Sequence, residues 1–232
     1  MKIIILAAGK GTRLGHNIPK ILTPLPNNET IIDRLLDTIM PHVSESDISI
    51  VVGYKKNLII EKYPSLNYIE NDNYEATNTA KSLLLALNDI EDENIIWING
   101  DLIMDKNIFK HIYSYNGSCM AVSNRTSLDD EEIKYTIDLN GYISSVSKII
   151  KDGVGEAFGL NKISKKDLQL LKKSLKECED TDYFEKGVEI AISKGLIINP
   201  LDINDMFYTE VDFEKDLNYA IRFLNGEKKI YE

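Results

Sequence analysis

The sequence predicts an α/β protein in three layers, α/β/α, around a mixed and mostly parallel sheet. Three observations predict it. Continuous apolar runs of strand length recur through the first half of the chain, the pattern of strands buried on both faces. Amphipathic helical stretches alternate with them. Past the middle, Asn140-Gly141 stands between two alternating stretches, a hairpin signal that breaks the alternation of strand and helix.

In chain order, "KIIILAA" (2–8) is the first buried strand. "TIIDRLLDTI" (30–39) has apolar residues at helical spacing, and Pro41 stops it. "DISIVVG" (47–53) and "NYIEN" (67–71) read as strands. "TNTAKSLLLALNDI" (77–90) is an amphipathic helix capped by Thr77 or Asn78. "NIIWING" (94–100) is a strand ending at Gly100-Asp101, a helix is expected around 105–115, and "SCMAVS" (118–123) is a strand. The hairpin around Asn140-Gly141 comes next, followed by a strand at 157–164. Helices at 164–178 and 182–194, strands near 196–199 and 207–211, and a helix at 212–224 complete the pattern.

The 232 residues, 43% hydrophobic and 28% charged, carry no repeat or linker, so one domain over 1–232 is expected. A formal net charge of −10 speaks against nucleic acid as a partner. It leaves small phosphorylated ligands open, because local cations and a metal can reverse the overall sign. Cys119 and Cys178 lie far apart with no C-x-x-C spacing, which fits a reducing cytoplasm. The first apolar run is short and meets GKGTR at once, unlike a signal peptide, and no stretch has the length of a membrane span. A cytoplasmic protein without a membrane partner is expected.

The most informative stretch is "ILAAGKGTRLGHNIPK" (5–20). A dinucleotide fingerprint would need glycine at 14, where Leu14 stands, and the P-loop pattern G-x-x-x-x-G-K-[ST] is absent. The glycines let backbone N–H groups approach phosphates closely. Arg13 adds a planar fork for phosphate oxygens and Lys20 a point charge.

On Leu6-Ala7-Ala8-Gly9-Lys10-Gly11-Thr12-Arg13-Leu14 and Pro19-Lys20, the chain resembles the nucleotidyltransferases of the GT-A-like pyrophosphorylase superfamily, whose signature is L-A-A-G-x-G-T-R-[LM]-x(n)-P-K. The resemblance implies a Rossmann-like three-layer fold, with a nucleotide-binding half at about 1–125 and a hairpin-containing acceptor half at about 126–232. It implies that Arg13 and Lys20 act in catalysis on the triphosphate. It implies Mg²⁺ held by Asp101 in "INGD" and by Asp212 in "YTEVDFEKDL", a segment similar to E-[IV]-D-x-x-x-D-[LY]. Asp105 is a weaker ligand candidate that also suits a helix cap.

The nucleotide is expected against Leu6, Ala7, Ala8, Gly9, Gly11, Thr12, Arg13, Lys20, Gly100 and Asp101, and against "NYEATNTAKSL", where Asn73, Asn78, Thr79 and Ser82 are the polar candidates. Asparagine offers both donor and acceptor, as a cytosine edge requires. This version resembles the CTP-dependent subgroup acting on small phosphorylated acceptors: phosphocholine, aminoethylphosphonate or a phosphorylated amino-acid amide such as phosphoglutamine. Lys148, with Lys151 as neighbour, is implied to align the acceptor phosphate, and Glu156 to contact the acceptor. In "DTDYFEKGVEIA", Tyr183 and Glu185 are candidates to face an ammonium-bearing acceptor; a plain amphipathic helix is the other reading.

The short spacing from Arg13 to Lys20 resembles instead N-acetylglucosamine-1-phosphate uridylyltransferases and methylerythritol-phosphate cytidylyltransferases. A sugar-1-phosphate enzyme using UTP or dTTP therefore stays as the alternative, and a non-catalytic nucleotide-binding module as a second. The chain as read carries no β-helix repeat, so a fused acetyltransferase is not expected. A homodimer is among the expected assemblies, and surface-polymer biosynthesis the expected setting.

Overall fold

The computed structural model describes residues 1–124 and 132–227. The boundary drawn between the two halves, near 125–126, thus lies outside the described residues. In chain order the first half contains β1 (Lys2–Ala7), α1 (Ile31–Ile39), β2 (Ile48–Val52), α2 (Lys56–Lys62) and β3 (Asn67–Glu70). It continues with α3 (Thr79–Leu87), β4 (Ile95–Asn99), β5 (Leu102–Met104), α4 (Lys106–Ser114) and β6 (Cys119–Ser123). The second half contains β7 (Lys134–Ile137), β8 (Ile143–Ser147), β9 (Gly155–Ile163), α5 (Lys165–Lys176) and α6 (Phe184–Ser193). It closes with β10 (Asn199–Asp202), β11 (Tyr208–Glu210) and α7 (Glu214–Leu224).

A nine-stranded sheet runs β10-β6-β9-β4-β1-β2-β3, with β7 beside β9 and β8 beyond it. Along that order the pairings are parallel except the two made by β9. The sheet is mixed, as expected. Its two faces can be read from β1 alone. Ile3 and Ile5 enter one core with α1, α4 and α7, whereas Ile4 and Leu6 enter the other with α3, α5 and α6. Successive strand residues point to opposite faces, so a continuous apolar run is what a sheet covered on both sides requires.

Three elements depart from the sequence expectation. α2 is a short helix entered through Lys55 at φ 46. β5 pairs antiparallel with β11 as a separate two-stranded ribbon. β10 covers Asn199–Asp202 rather than 196–199. Gly195, at φ 100, turns the chain out of α6, the Leu196 N–H donates back to the Ala191 carbonyl, and Leu196 and Ile198 are buried in the core ahead of the strand. Pro200 is tolerated because β10 is the sheet's edge.

The chain runs from β1 outward through β2 and β3, then crosses back to place β4 on the other side of β1. Such a reversal leaves a crevice beyond the C-terminal ends of the two strands, where open α/β sheets bind ligands.

Candidate active site

The loop after β1 leaves the sheet at this crevice. Gly11 sits at φ 58, and a Cβ there would stand 2.8 Å from Lys20 Cβ, so only glycine lets the loop fold back over Lys20. Gly100, after β4, approaches β1 equally closely: an added Cβ would meet the Leu6 carbonyl oxygen at 2.8 Å. The backbones at the ends of β1 and β4 are therefore in contact beneath the cavity.

Lys20 is mostly buried and its ammonium lies between two carboxylates. Nζ donates to Asp101 Oδ2 at 2.8 Å and to Asp212 Oδ1. Burial works against its charge, but the two aspartates outweigh burial and hold it above the ordinary lysine value. Arg13 Nη2 lies 3.0 Å from Asp212 Oδ2, and its Cζ lies 5.4 Å from the centroid of the Phe213 ring. The β5–β11 ribbon brings the two aspartates together, with the Val211 N–H donating to the Asp101 carbonyl at 2.9 Å.

Glu210 is a site residue that sequence reasoning passed over. Its Oε1 accepts from Asn99 Nδ2 at 3.1 Å and from the Gly159 N–H at 3.0 Å. Burial, then the neighbouring Asp101 charge, push its carboxyl up to about 8. It stood inside the quoted "YTEVDF" segment; an acidic residue alternating with Asp212 on an apolar ribbon was the available signal.

The residues present fit a divalent cation. Asp101 Oδ1 is buried without a hydrogen-bond partner, and Asp101 Oδ2 and Asp212 Oδ1 already converge on a cation, the Lys20 ammonium. Among the described residues no group of three or more His, Cys, Asp or Glu side chains forms a metal cage. Mg²⁺ does not need one, since it is commonly held by one or two carboxylates with water and phosphate oxygens completing the octahedron. Asp105 is apart from this centre and caps α4, accepting from the Asn107 N–H.

A cavity of about 1030 Å³ opens above these groups. Leu6, Ala7, Gly9, Gly11, Thr12, Arg13, Lys20, Asn78, Thr79, Gly100, Asp101 and Asp212 line it, and so do Lys148, Glu156, Tyr183 and Glu185. Lys151 is exposed and does not line it, so of the two neighbouring lysines the cavity takes Lys148. His16 is exposed and also lies outside the lining. Trp97 is core, set edge-on to Phe184.

A smaller recess of about 80 Å³ adjoins it, lined by Leu6, Ala8, Gly9, Asn71, Tyr74, Thr77, Asn78, Thr79 and Ser82. Buried Asn71 organises this recess, its Nδ2 donating to Thr77 Oγ1 and Ser82 Oγ at 3.0 Å each. Asn73, expected here, is exposed and lines neither space, because it belongs to the turn after β3, where its carbonyl accepts from Thr77. Asn71 takes that place; a polar residue closing the apolar strand "NYIEN" was its only sign in the sequence.

Asn78 and Thr79 line both spaces, yet much of their polar capacity is spent on the chain itself. Asn78 caps α3, its Oδ1 accepting from the Thr79 N–H, and its Nδ2 donates to the Thr181 carbonyl. Thr79 Oγ1 accepts from the Phe184 N–H. The start of α3 is therefore bolted to the segment that leads into α6.

Also lining the cavity, Lys148 has its Nζ 5.2 Å from the centroid of the Tyr183 ring. Glu156 Oε2 accepts from the Tyr208 hydroxyl at 2.7 Å, and the Tyr208 ring stacks on Phe158. Glu185, in the first turn of α6, is buried; burial pushes its carboxyl up to about 7, against the pull of Lys148.

A family model described as the MobA-like NTP transferase domain matches residues 3–128. The chain is 24% identical over 236 residues to the bifunctional protein GlmU of Sulfurimonas denitrificans, covering 95% of this chain and 52% of that protein. It spans about half the length of the curated relatives it matches. Among solved structures, the CTP:phosphocholine cytidylyltransferase of Streptococcus pneumoniae superposes with a TM-score of 0.80 at 23% identity, covering 96% of this chain and 98% of that one. The inositol-1-phosphate CTP transferase of T. maritima superposes with a TM-score of 0.76 at 20% identity, covering 95% and 96%.

Proposed function

The chain belongs to the MobA-like NTP transferase family, and on that premise we propose that it is a cytidylyltransferase that joins CTP to a small phosphorylated acceptor and releases pyrophosphate. The observation that carries this reading is a single cavity lined by both sets of groups, Arg13, Lys20, Asp101 and Asp212 as well as Lys148, Glu156, Tyr183 and Glu185. A nucleotide end and an acceptor end in one space are what an in-line transfer between two bound substrates needs.

In the proposed reaction an anionic oxygen of the acceptor phosphate or phosphonate attacks the α-phosphorus. The new O–P bond forms as the bond to the bridging oxygen breaks, and pyrophosphate leaves with that electron pair. The attacking oxygen is already anionic near neutral pH, so no general base is needed. Arg13 and Lys20 hold the triphosphate and offset the charge that develops on the transferred and leaving groups. Lys148 aligns the acceptor phosphate. Asp101 and Asp212 would hold Mg²⁺, which when bound would supply Lewis-acid stabilisation of phosphoryl oxygens. We place the protein in the cytoplasm, in keeping with two free buried cysteines and with no helix among the described residues long and apolar enough to cross a membrane.

Thermal stabilisation by CTP, UTP, dTTP, ATP and GTP, each with Mg²⁺, tests the nucleotide. A ligand at a hundredfold excess over Kd stabilises the folded state by about 2.7 kcal/mol, and CTP is expected to give the largest shift. A second reading, a sugar-1-phosphate enzyme using UTP or dTTP, is favoured by the similarity to GlmU over 95% of the chain and by the short Arg13–Lys20 spacing. A larger shift with UTP or dTTP would select it. Pyrophosphate release on turnover excludes a non-catalytic binding module.

A further inference from the structure

The proposed acceptor side contains a carboxyl with one oxygen to which no described residue donates. Glu185 is 9% exposed and lines the cavity, and its Oε2 is buried with no hydrogen-bond partner. Buried polar atoms are nearly always paired, and a buried carboxylate calls for both a donor and a compensating charge. The Glu185 backbone N–H helps to hold the carboxyl, but among the described residues nothing donates to Oε2. Lys148 is near enough to favour the ionised carboxylate, yet it does not bond Oε2, and its ammonium lies over the Tyr183 ring. Glu185 stands in the first turn of α6, where the helix dipole favours an anion and so works against the burial that disfavours its charge.

Three kinds of acceptor head group meet this arrangement differently. A quaternary ammonium brings charge but no N–H, and it binds best over an open aromatic face. The Tyr183 face already carries the Lys148 ammonium. A hydroxyl brings a donor but no charge. A primary ammonium brings both.

Resting on the cytidylyltransferase reading and narrowing it, we propose that Glu185 takes the primary ammonium of the acceptor, which is therefore a short alkyl phosphate or phosphonate with a free amine at the end away from phosphorus. Lys148 then serves the phosphorus end and Glu185 the amine end, with opposite charges placed for the opposite ends of a zwitterion. Glu185 acts in specificity and takes no part in breaking or forming the phosphate bond.

The test is a matched series of acceptors with CTP and Mg²⁺: 2-aminoethyl phosphate and phosphonate, their trimethylammonium counterparts, and their 2-hydroxyethyl counterparts, read by pyrophosphate release. The primary amines are expected to have kcat/KM at least about tenfold above the other two heads, because a site built around a donor rejects analogues lacking it. In Glu185→Gln that advantage is expected to shrink to about threefold or less, with the thermal shift by CTP unchanged. Equal use of the three heads, preference for a trimethylated or hydroxyl head, no turnover of the amines while CTP still stabilises the protein, or a preference that survives in Glu185→Gln would each overturn the inference and leave the cytidylyltransferase reading in place. Stabilisation by UTP or dTTP but not CTP, with turnover of sugar 1-phosphates, overturns both.

Discussion

The two ends of the cavity handle charge in opposite ways. At the proposed nucleotide end opposite charges pair, Lys20 with Asp101 and Asp212 and Arg13 with Asp212, although Asp101 Oδ1 is left without a hydrogen-bond partner. At the acceptor end Glu185 keeps a buried oxygen unpartnered, and Lys148 lies over an aromatic ring. A triphosphate and its metal present the same charges whatever the acceptor, so the groups that meet them can wait in mutual pairs at little cost to stability. An acceptor is known by its head group, and a site that recognises one head leaves unmet what that head alone supplies. The difference implies that removing a charge should destabilise the protein at one end and stabilise it at the other.

The severest test of the nucleotide end is Asp101→Asn. Turnover is expected to fall by about a thousandfold or more if Asp101 has the proposed role, because the change would remove a charge that helps to hold the metal. Pyrophosphate release titrated against Mg²⁺ measures this, and a variant with normal metal dependence would remove Asp101 from the centre. Lys20→Ala comes next. Turnover should drop at least about tenfold, and the fold should lose about 1–3 kcal/mol, since Asp101 and Asp212 would then face each other without the ammonium. Denaturant midpoints with and without Mg²⁺ check the second part, and the cation should restore some of the loss.

Glu185→Gln should move stability the other way. A carboxyl held at about 7 in the folded protein against an ordinary 4.5 binds a proton in the fold that the unfolded chain has released. Native stability contributed by this group therefore falls as pH rises from 4.5 to 7. Wild type and variant should be closest below pH 4.5, and above pH 7 the variant should be more stable by up to about 3 kcal/mol. A variant less stable than wild type at pH 8 would show that Glu185 has a partner in the fold and would erase the contrast. The smallest effect is expected from Tyr183→Ala. Loss of the ring beside Lys148 should raise the acceptor KM by about two- to fivefold, in keeping with a cation–π contact worth about 0.5–1 kcal/mol at an exposed site, while the thermal shift by CTP stays as it was.

The same contrast governs what could be read before folding. Gly9, Gly11, Arg13 and Lys20 are close in sequence and carry a pattern of their own, so the phosphate loop was legible. The buried strands were legible too, because a sheet covered on both faces demands unbroken apolar runs such as Ile3 to Leu6. β5 was not, since three residues after a turn have no period to detect, and β10 was hidden by Pro200. Glu210 and Asn71 owe their roles to burial against neighbours far along the chain, and residue type alone does not reveal that. Glu185 was legible as a residue in a helical stretch, but its unpaired oxygen follows from the packing of α6 against β8 and α3.

The two-stranded ribbon has a consequence for how the protein acquires its site. Asn99 and Glu210 meet across it from positions 111 residues apart, and Lys20 meets Asp212 across 192. Closing loops of that length costs entropy before any contact offsets it, so such pairings come late in folding. The phosphate loop, by contrast, is drawn from one short stretch of chain and can form with β1 and its neighbours. The segment that ends at Asp212 is thus the clasp of the molecule: until it closes, the first half of the chain can shape a recess for a nucleotide but has only one of the two aspartates, and competence for the full reaction arrives with the last strand to pair.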